Sequence, residues 1–307
     1  MENNFITICT PTYNRGNLLS RPFESLCKQT KKNFIWLIID DGSDDNTKKI
    51  VENFAKISNF KIVYKYKENG GRHTALNYSY EFIDTEWVLN LDSDDALVED
   101  AVEKILKIIN KLKNNYKDEY NEIWQISGRS VDPKTNKIIG NLYPKNINEV
   151  SRKKQDKLRA KIDGEKSCCR KVDILRKFPF PIYKDTNFVT ENEIWYKIDL
   201  HYKSYCTNEI FRYYYYTENS LTNMKYDKRK HRTFYHFSIF CLNELTSQLF
   251  YKREVFKSIF NVPRRALKTG LNYKSVMKDL KKWYIKAIVT LIGYPIAYIY
   301  IKIKDNG

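Results

Sequence analysis

The strongest chemical signal in this chain is the run Asp92-Ser93-Asp94-Asp95. It follows an apolar stretch, Trp87-Val88-Leu89-Asn90-Leu91, and precedes a segment whose periodicity predicts a helix from about Ala96 to Leu112. Carboxylates gathered where a strand ends suit a hard divalent cation, which takes one or two carboxylates together with substrate phosphates. A calcium loop is the competing reading, because Asp92, Asp94 and Glu103 fall at its first, third and twelfth positions. That loop needs glycine at its sixth position, where this chain has Leu97. The calcium-loop reading fails there; an acidic turn that is only solvated is the other alternative, and what raises the Mg²⁺ or Mn²⁺ reading is the rest of the chain.

Three more stretches break apolar runs in the same way. Thr10-Pro11-Thr12-Tyr13-Asn14-Arg15 ends a strand over Phe5–Cys9, and Asp40-Asp41-Gly42-Ser43 ends one over Phe34–Ile39. Glu68-Asn69-Gly70-Gly71-Arg72-His73 ends a third, over Lys61–Tyr66. Helical spacing follows each: Leu18 to Cys27, Ile50 to Ile57, and Thr74 to Phe82. Strands alternating with helices predict an α/β fold, a mostly parallel sheet with helices on both faces. Ligands in such sheets sit beyond the carboxyl ends of the strands, where all four stretches converge. No G-x-G-x-x-G follows the first strand and no Walker A sequence occurs, which argues against a dinucleotide-binding dehydrogenase or a P-loop enzyme. Further on, Ile123–Ser127, Lys137–Leu142 and Glu209–Tyr216 read as strands, Ser151–Lys161 as a loop or exposed helix, and Phe178–Pro181 as an extended connector.

The chain of 307 residues carries 54 Lys+Arg against 37 Asp+Glu, a net +17. From Lys225 onward there are 18 basic and 5 acidic residues, so +13 of that excess lies in the last quarter. Such a segment implies an anionic partner, a membrane surface or nucleic acid. The six cysteines show no metal spacing, and with no leader signature at Met1–Asn4 a reducing cytosolic setting is expected.

In order and spacing, these four stretches, with Asn69-Gly70-Gly71-Arg72-His73-Thr74-Ala75-Leu76-Asn77 as the third, resemble the nucleotide-sugar half of family 2 glycosyltransferases of the GT-A fold. The resemblance covers about Asn4 to Thr222 and implies a Rossmann-like mixed sheet. It implies a donor half over about 1–115 and an acceptor half over 116–223, with a C-terminal all-helical extension over 224–307. By the same resemblance Pro11, Thr12 and Tyr13 line a nucleoside pocket with Arg15, and Asp41, rather than Asp40, accepts from a uracil N–H. Gly71, Arg72, Asn77 and Ser93 complete the donor contacts. Asp94 would ligate the cation, Asp92 the ribose or the cation, and Asp95 would stand behind them. The acceptor base is expected at the start of a helix, at Glu191 with Glu193 as runner-up. Many relatives have Glu-Asp where this chain has Glu191-Asn192, and two glutamates there also simply complement a helix dipole.

The expected activity is inverting, metal-dependent transfer of a hexosyl or N-acetylhexosaminyl group from a UDP-sugar to a hydroxyl of a glycan or lipid-linked acceptor. No Q-x-x-R-W motif occurs, which favours a non-processive enzyme in surface polysaccharide or glycan assembly. The uncharged run Ala287–Ile301, between Lys286 and Lys302, is shorter than the ~20 residues of a usual span and contains Gly293 and Pro295. An interfacial or re-entrant anchor on anionic lipid is favoured over a span or a core helix, with the enzyme peripheral on the inner face of the cell membrane. The competing readings are a catalytically silent sugar-nucleotide-binding scaffold and a nucleic-acid-binding protein. The second is disfavoured because it leaves the strand-end motifs unexplained.

Overall fold

The computed structural model describes residues 5–144, 162–216, 227–248 and 251–305. The stretch Ser151–Lys161 lies outside the described residues. The chain forms two compact units, one of Met1–Phe180 with Ile194–Ser220, the other of Pro181–Glu193 with Leu221–Gly307. The second unit thus takes in Pro181–Glu193 as well as the C-terminal helices.

In the first unit, β1 (Ile6–Thr12), β2 (Phe34–Asp40), β3 (Lys61–Tyr66) and β4 (Trp87–Asn90) pair in parallel in the order β3-β2-β1-β4. Helices α1 (Ser20–Cys27), α2 (Thr47–Ile57) and α3 (Arg72–Ser79) connect them. Each of the four strands ends on the same edge of the sheet, which is how right-handed crossovers bring separated motifs together. The core residues Ile6, Ile8, Trp36, Ile38 and Leu89 are fully buried, as expected of a sheet covered on both faces. Beyond β4 the sheet turns mixed: β8 (Lys166–Lys171) runs antiparallel to both β4 and β6 (Ile123–Asp132), while β9 (Lys203–Tyr213) pairs parallel to β6. A short β7 (Lys137–Ile138) pairs with β6, over less of the chain than the stretch Lys137–Leu142 expected as a strand.

Other elements differ from the sequence-based expectation too, β9 among them, which spans Lys203–Tyr213 rather than Glu209–Tyr216. The helix expected from Ala96 begins at Ala101, as α4 (Ala101–Asn115), because Ala96–Leu97 forms a strand, β5, antiparallel to the end of β9. Strand β8 was not expected at all, since Lys166-Ser167-Cys168-Cys169-Arg170-Lys171 lacks apolar alternation. Its buried cations are carried by aromatic faces: Arg170 lies 4.0 Å from the Trp195 ring centroid, and Lys171 lies 3.7 Å from that of Tyr120. After β8 come α5 (Val172–Lys177) and α6 (Glu191–Asp199).

The second unit is helical. Asp227 caps α7 (Lys228–Glu244) by accepting from the Lys230 N–H at 2.7 Å, and Gly270, at φ 71°, ends α8 (Lys252–Thr269) in the left-handed region. From Tyr273 onward the extension is divided into α9 (Tyr273–Asp279), α10 (Trp283–Ile288) and α11 (Tyr294–Asp305). A π turn, Val289–Gly293, joins the last two just ahead of Pro295, whose missing N–H disrupts regular helix bonding. Tyr235, Leu242, Val262, Ala266, Val276, Leu280, Ile285 and Val289 form the core of this unit.

Candidate active site

The turn after β2 is built from its own aspartates. Asp40 is buried: its Oδ1 accepts from the Ser43 N–H at 2.8 Å and its Oδ2 from the Tyr64 hydroxyl at 2.6 Å. Asp41 accepts from Lys67 Nζ at 2.6 Å and from the N–H groups of Gly70 and Gly71 at 3.1 and 2.7 Å. The glycine loop is therefore folded around the Asp41 carboxylate, and Gly71, at φ 92°, holds a backbone conformation that side chains disfavour. Next to it Tyr13 is exposed while Pro11 and Thr12 are buried. Asn77 stands apart from these groups: its amide clamps the Phe180 peptide, donating to the carbonyl and accepting from the N–H, each at 2.9 Å.

The acidic run after β4 is met by arginines from separate elements. Arg72, in the first turn of α3, reaches Asp92 Oδ1 at 2.8 Å, and Arg15, in the turn after β1, reaches Asp94 Oδ2 at 3.2 Å. Arg21 donates to the Asp94 carbonyl and stacks on Tyr215 with its guanidinium carbon 3.9 Å from the ring centroid. Arg212 of β9 is buried, 3.0 Å from Asp95 Oδ2 and 3.6 Å from Asp92 Oδ2. The β5–β9 pairing, Leu97 opposite Arg212, is what brings that guanidinium to the cluster. Tyr215 N–H closes the arrangement on Asp95 Oδ1 at 3.0 Å.

The electrostatics divide the three aspartates. Burial opposes the charged form of Asp92, but Arg72 and Arg212 outweigh it and hold the carboxyl below the usual carboxylate range. Burial pushes Asp95 up to about 7 against the pull of Arg212. Ser93 is buried beneath the loop. His73 is also buried, which lowers its pKa and keeps the ring neutral.

In the second unit, Glu191 is half-buried at the first residue of α6. Glu193 is buried and accepts from the Tyr183 hydroxyl at 2.6 Å. Tyr183 itself stacks on His236 at 3.8 Å between centroids, and His236 Nε2 lies 2.8 Å from Asp185 Oδ1.

The structure thus brings together Arg15, Arg72, Asp92 and Asp94, and gathers Asp41 with Gly71 beside Lys67. Arg21, Lys67, Arg212 and Tyr215 were not singled out from sequence. Arg212 lies within a tyrosine-rich strand, and only the pairing with β5 reveals where it points.

Residues 7–167, just over half of the chain, match the family described as Glycosyl transferase family 2. The chain belongs to that family, as the sequence motifs implied. An uncharacterized glycosyltransferase of Rickettsia typhi is 36% identical over 109 residues, covering 36% of this chain and 33% of that protein. Glycosyltransferase GlyA of Streptococcus pneumoniae serotype 4 is 34% identical over 104 residues, 34% of this chain and 15% of its own length. The chain therefore matches a third or less of the length of these relatives.

Among solved structures, Staphylococcus aureus TarS 1–349 in complex with UDP-GlcNAc aligns with a TM-score of 0.59 at 15% identity. The alignment covers 97% of this chain and 91% of that one. The mannosyltransferase PcManGT of Pyrobaculum calidifontis, in complex with GDP-Man and Mn²⁺, gives 0.51 at 14% identity, covering 98% and 88%. At such identities the likeness is one of fold, and that fold is GT-A.

Proposed function

We propose that this chain is a non-processive, inverting, metal-dependent glycosyltransferase that moves a sugar from a nucleotide-sugar, a UDP-sugar by preference, to a hydroxyl of a glycan or lipid-linked acceptor. The observation that carries the reading is the meeting of Asp92 and Asp94 with Arg72 and Arg15 at one edge of the sheet. Two carboxylates two residues apart are hard oxygen donors of the kind Mg²⁺ or Mn²⁺ accepts alongside phosphates, so the donor set fits such a cation. Asp94 and Asp92 would hold it, and its chemistry there is to neutralise the charge that develops on the departing diphosphate.

The chain's own groups do the rest. Arg15 and Arg72 pair with phosphate oxygens, where a planar guanidinium is well matched. Asp41 already accepts from Lys67, from the Asn69 side chain and from two backbone N–H groups, so a uracil N–H would take the place of the longest of these, Asn69 at 3.3 Å. Tyr13, exposed beside it, supplies a face for the base, with Pro11 and Thr12 beneath. Asp40 supports the turn from within. Glu191 takes the proton from the acceptor hydroxyl as it attacks opposite the leaving diphosphate. Glu191 is the more accessible of the two glutamates, half-buried where Glu193 is buried, which supports it as the base.

The partner of the helical unit, in this reading, is an anionic membrane. The stretch Trp283–Ile303 is long and apolar enough to cross a bilayer. One ridge of it, Ile285, Val289, Gly293 and Ala297 at four-residue spacing, is buried. A Cβ on Gly293 would come within 2.5 Å of the Ile259 carbonyl, so the backbones approach closely there. Other residues of the stretch face outward: Trp283, Leu291 and Ile303 are 79%, 75% and 69% exposed. Being fastened along one side to its own unit favours lying in the headgroup region over spanning.

The decisive test is donor binding. Asp94→Asn is expected to abolish the Mn²⁺-dependent part of UDP affinity in calorimetry; Mn²⁺-dependent binding that persists at the wild-type strength would remove the proposed cation site.

A further inference from the structure

The guanidiniums of Arg15, Arg72 and Arg212, which reach carboxylates of the acidic run, are not equivalent. Arg212 is 7% exposed and fixed on several sides: by Asp95, by Glu165 at 3.3 Å, by the Ser130 hydroxyl at 3.1 Å and by the Lys166 carbonyl at 3.2 Å. Arg15 and Arg72 are 31% and 27% exposed, and lie respectively in a turn and at the start of a helix. Both contact the two carboxylates that the donor-site reading assigns to the cation. Four guanidiniums, those of Arg15, Arg21, Arg72 and Arg212, meet the run Asp92–Asp95, so its carboxylates are compensated without a metal.

We propose that Arg15 and Arg72 act as place-holding cations that make metal and donor binding mutually dependent. This inference rests on the donor-site reading above. Without donor, each guanidinium occupies a carboxylate that the divalent ion needs, so an ion arriving alone must displace an arginine and adds two positive charges to carboxylates already compensated. A nucleoside diphosphate arriving alone adds negative charge, which attracts the same two guanidiniums away from Asp94 and Asp92. With both arginines turned to the phosphates, both carboxylates are exposed to the cation, and the two additions offset one another. Arg212 does not take part in the exchange, since its hydrogen bonds hold it in the sheet. It keeps Asp95 compensated throughout.

The consequence is thermodynamic and reciprocal: UDP tightens Mn²⁺ binding, and Mn²⁺ tightens UDP binding by the same factor, within the ~5–150-fold typical of coupled sites. A device of this kind keeps the enzyme from holding a cation idle, and admits the metal with the donor rather than before it. Arg15 and Arg72 are positioning residues with respect to the metal, whatever their contacts to the diphosphate.

The test needs no turnover. Mn²⁺ binding to the full chain is measured by electron paramagnetic resonance of the unbound ion, with and without saturating UDP. For the wild type, weak Mn²⁺ binding alone and roughly tenfold or greater tightening by UDP are expected. Arg15→Gln is expected to tighten Mn²⁺ binding without nucleotide by about tenfold and to shrink the UDP effect towards unity. Arg72→Gln is expected to act in the same direction. Arg15→Lys keeps the competing charge and is expected to stay close to wild type. Lys48→Gln, which removes an exposed charge on α2, is expected to leave Mn²⁺ affinity unchanged.

If neither glutamine variant binds Mn²⁺ more tightly than wild type in the absence of UDP, while all bind it in its presence, the place-holding role is overturned and the donor site stands. Equal tightening by Lys48→Gln overturns it too, as a general charge effect. Should no protein bind Mn²⁺ even with UDP, the donor-site reading itself fails.

Discussion

The strand-end cluster of the first unit and the C-terminal helices of the second depart from ordinary burial in opposite directions. In the cluster, charged groups are partly or wholly buried and each is matched: Asp92, Asp94 and Asp95 against Arg72, Arg15 and Arg212. Buried charge is costly unless paired, and the proposed donor site would give this much of it at one edge a ligand to serve. In the helices the reverse holds. Leu291, Ile292, Ile299 and Ile303 face outward, and the sequence from Lys225 carries 18 basic against 5 acidic residues. Exposed apolar surface beside unmatched positive charge fits a partner that is itself apolar and anionic. One region thus reads as complementary to a small, highly charged donor, and the other to an extended lipid surface.

The comparison makes its largest prediction at the acceptor base, which belongs to neither pattern. Glu191→Gln is expected to lower kcat by about 10²–10⁴-fold, the range for loss of a general base, with UDP affinity preserved. Turnover within a few-fold of wild type would reassign the base, and Glu193→Gln would then be the variant to measure. A smaller effect is expected on the exposed apolar side of the C-terminal helices. The double change Leu291→Asp with Ile299→Asp is expected to lower binding to anionic vesicles by more than tenfold, since each exposed apolar side chain contributes on the order of 1.5 kcal/mol when buried. UDP binding should not change. Equal binding of both proteins to anionic vesicles would show that the lysines alone drive association, and preferential binding to duplex nucleic acid would favour the other anionic partner.

How much of this was legible in the sequence follows from the range of the forces involved. The four parallel strands and the loops that end them announce themselves locally, through short apolar runs stopped by Pro, Gly and Asp, and strand β3 falls where the pattern put it. The arginine partners of the cluster were only half legible. Arg15 and Arg72 sit inside the motifs, but Arg212 is 117 to 120 positions away from the aspartates it serves, and only the two-residue β5 brings it close. That strand was hidden because Ala96-Leu97 reads equally well as the start of the following helix. Strand β8 was hidden for another reason: its buried cations are satisfied by aromatic rings contributed from distant positions, such as Trp195 and Tyr120, and no local pattern records that.

The smallest effect concerns a matched charge in the helical unit, where the comparison with the cluster is closest. His231 Nδ1 lies 2.6 Å from Arg265 Nη1, so the neutral ring accepts from a guanidinium. Burial, then Arg265, Lys268 and Arg264, push its pKa down to about 4, with Asp227 opposing weakly. The unfolded chain takes up a proton on this histidine as pH falls through about 6.5, whereas the folded chain does so only near 4. The contribution of neutral His231 to stability is therefore complete above about pH 6.5 and declines as pH falls towards 4. His231→Gln retains an acceptor for Arg265 without the titration. Between pH 6.5 and 4.5, its unfolding free energy is expected to fall less steeply with acid, by up to about one proton's worth of slope. Denaturant titrations of both proteins across that window check this, and identical slopes would mean that His231 already titrates normally in the folded unit, with Arg265 drawn aside rather than held against the ring.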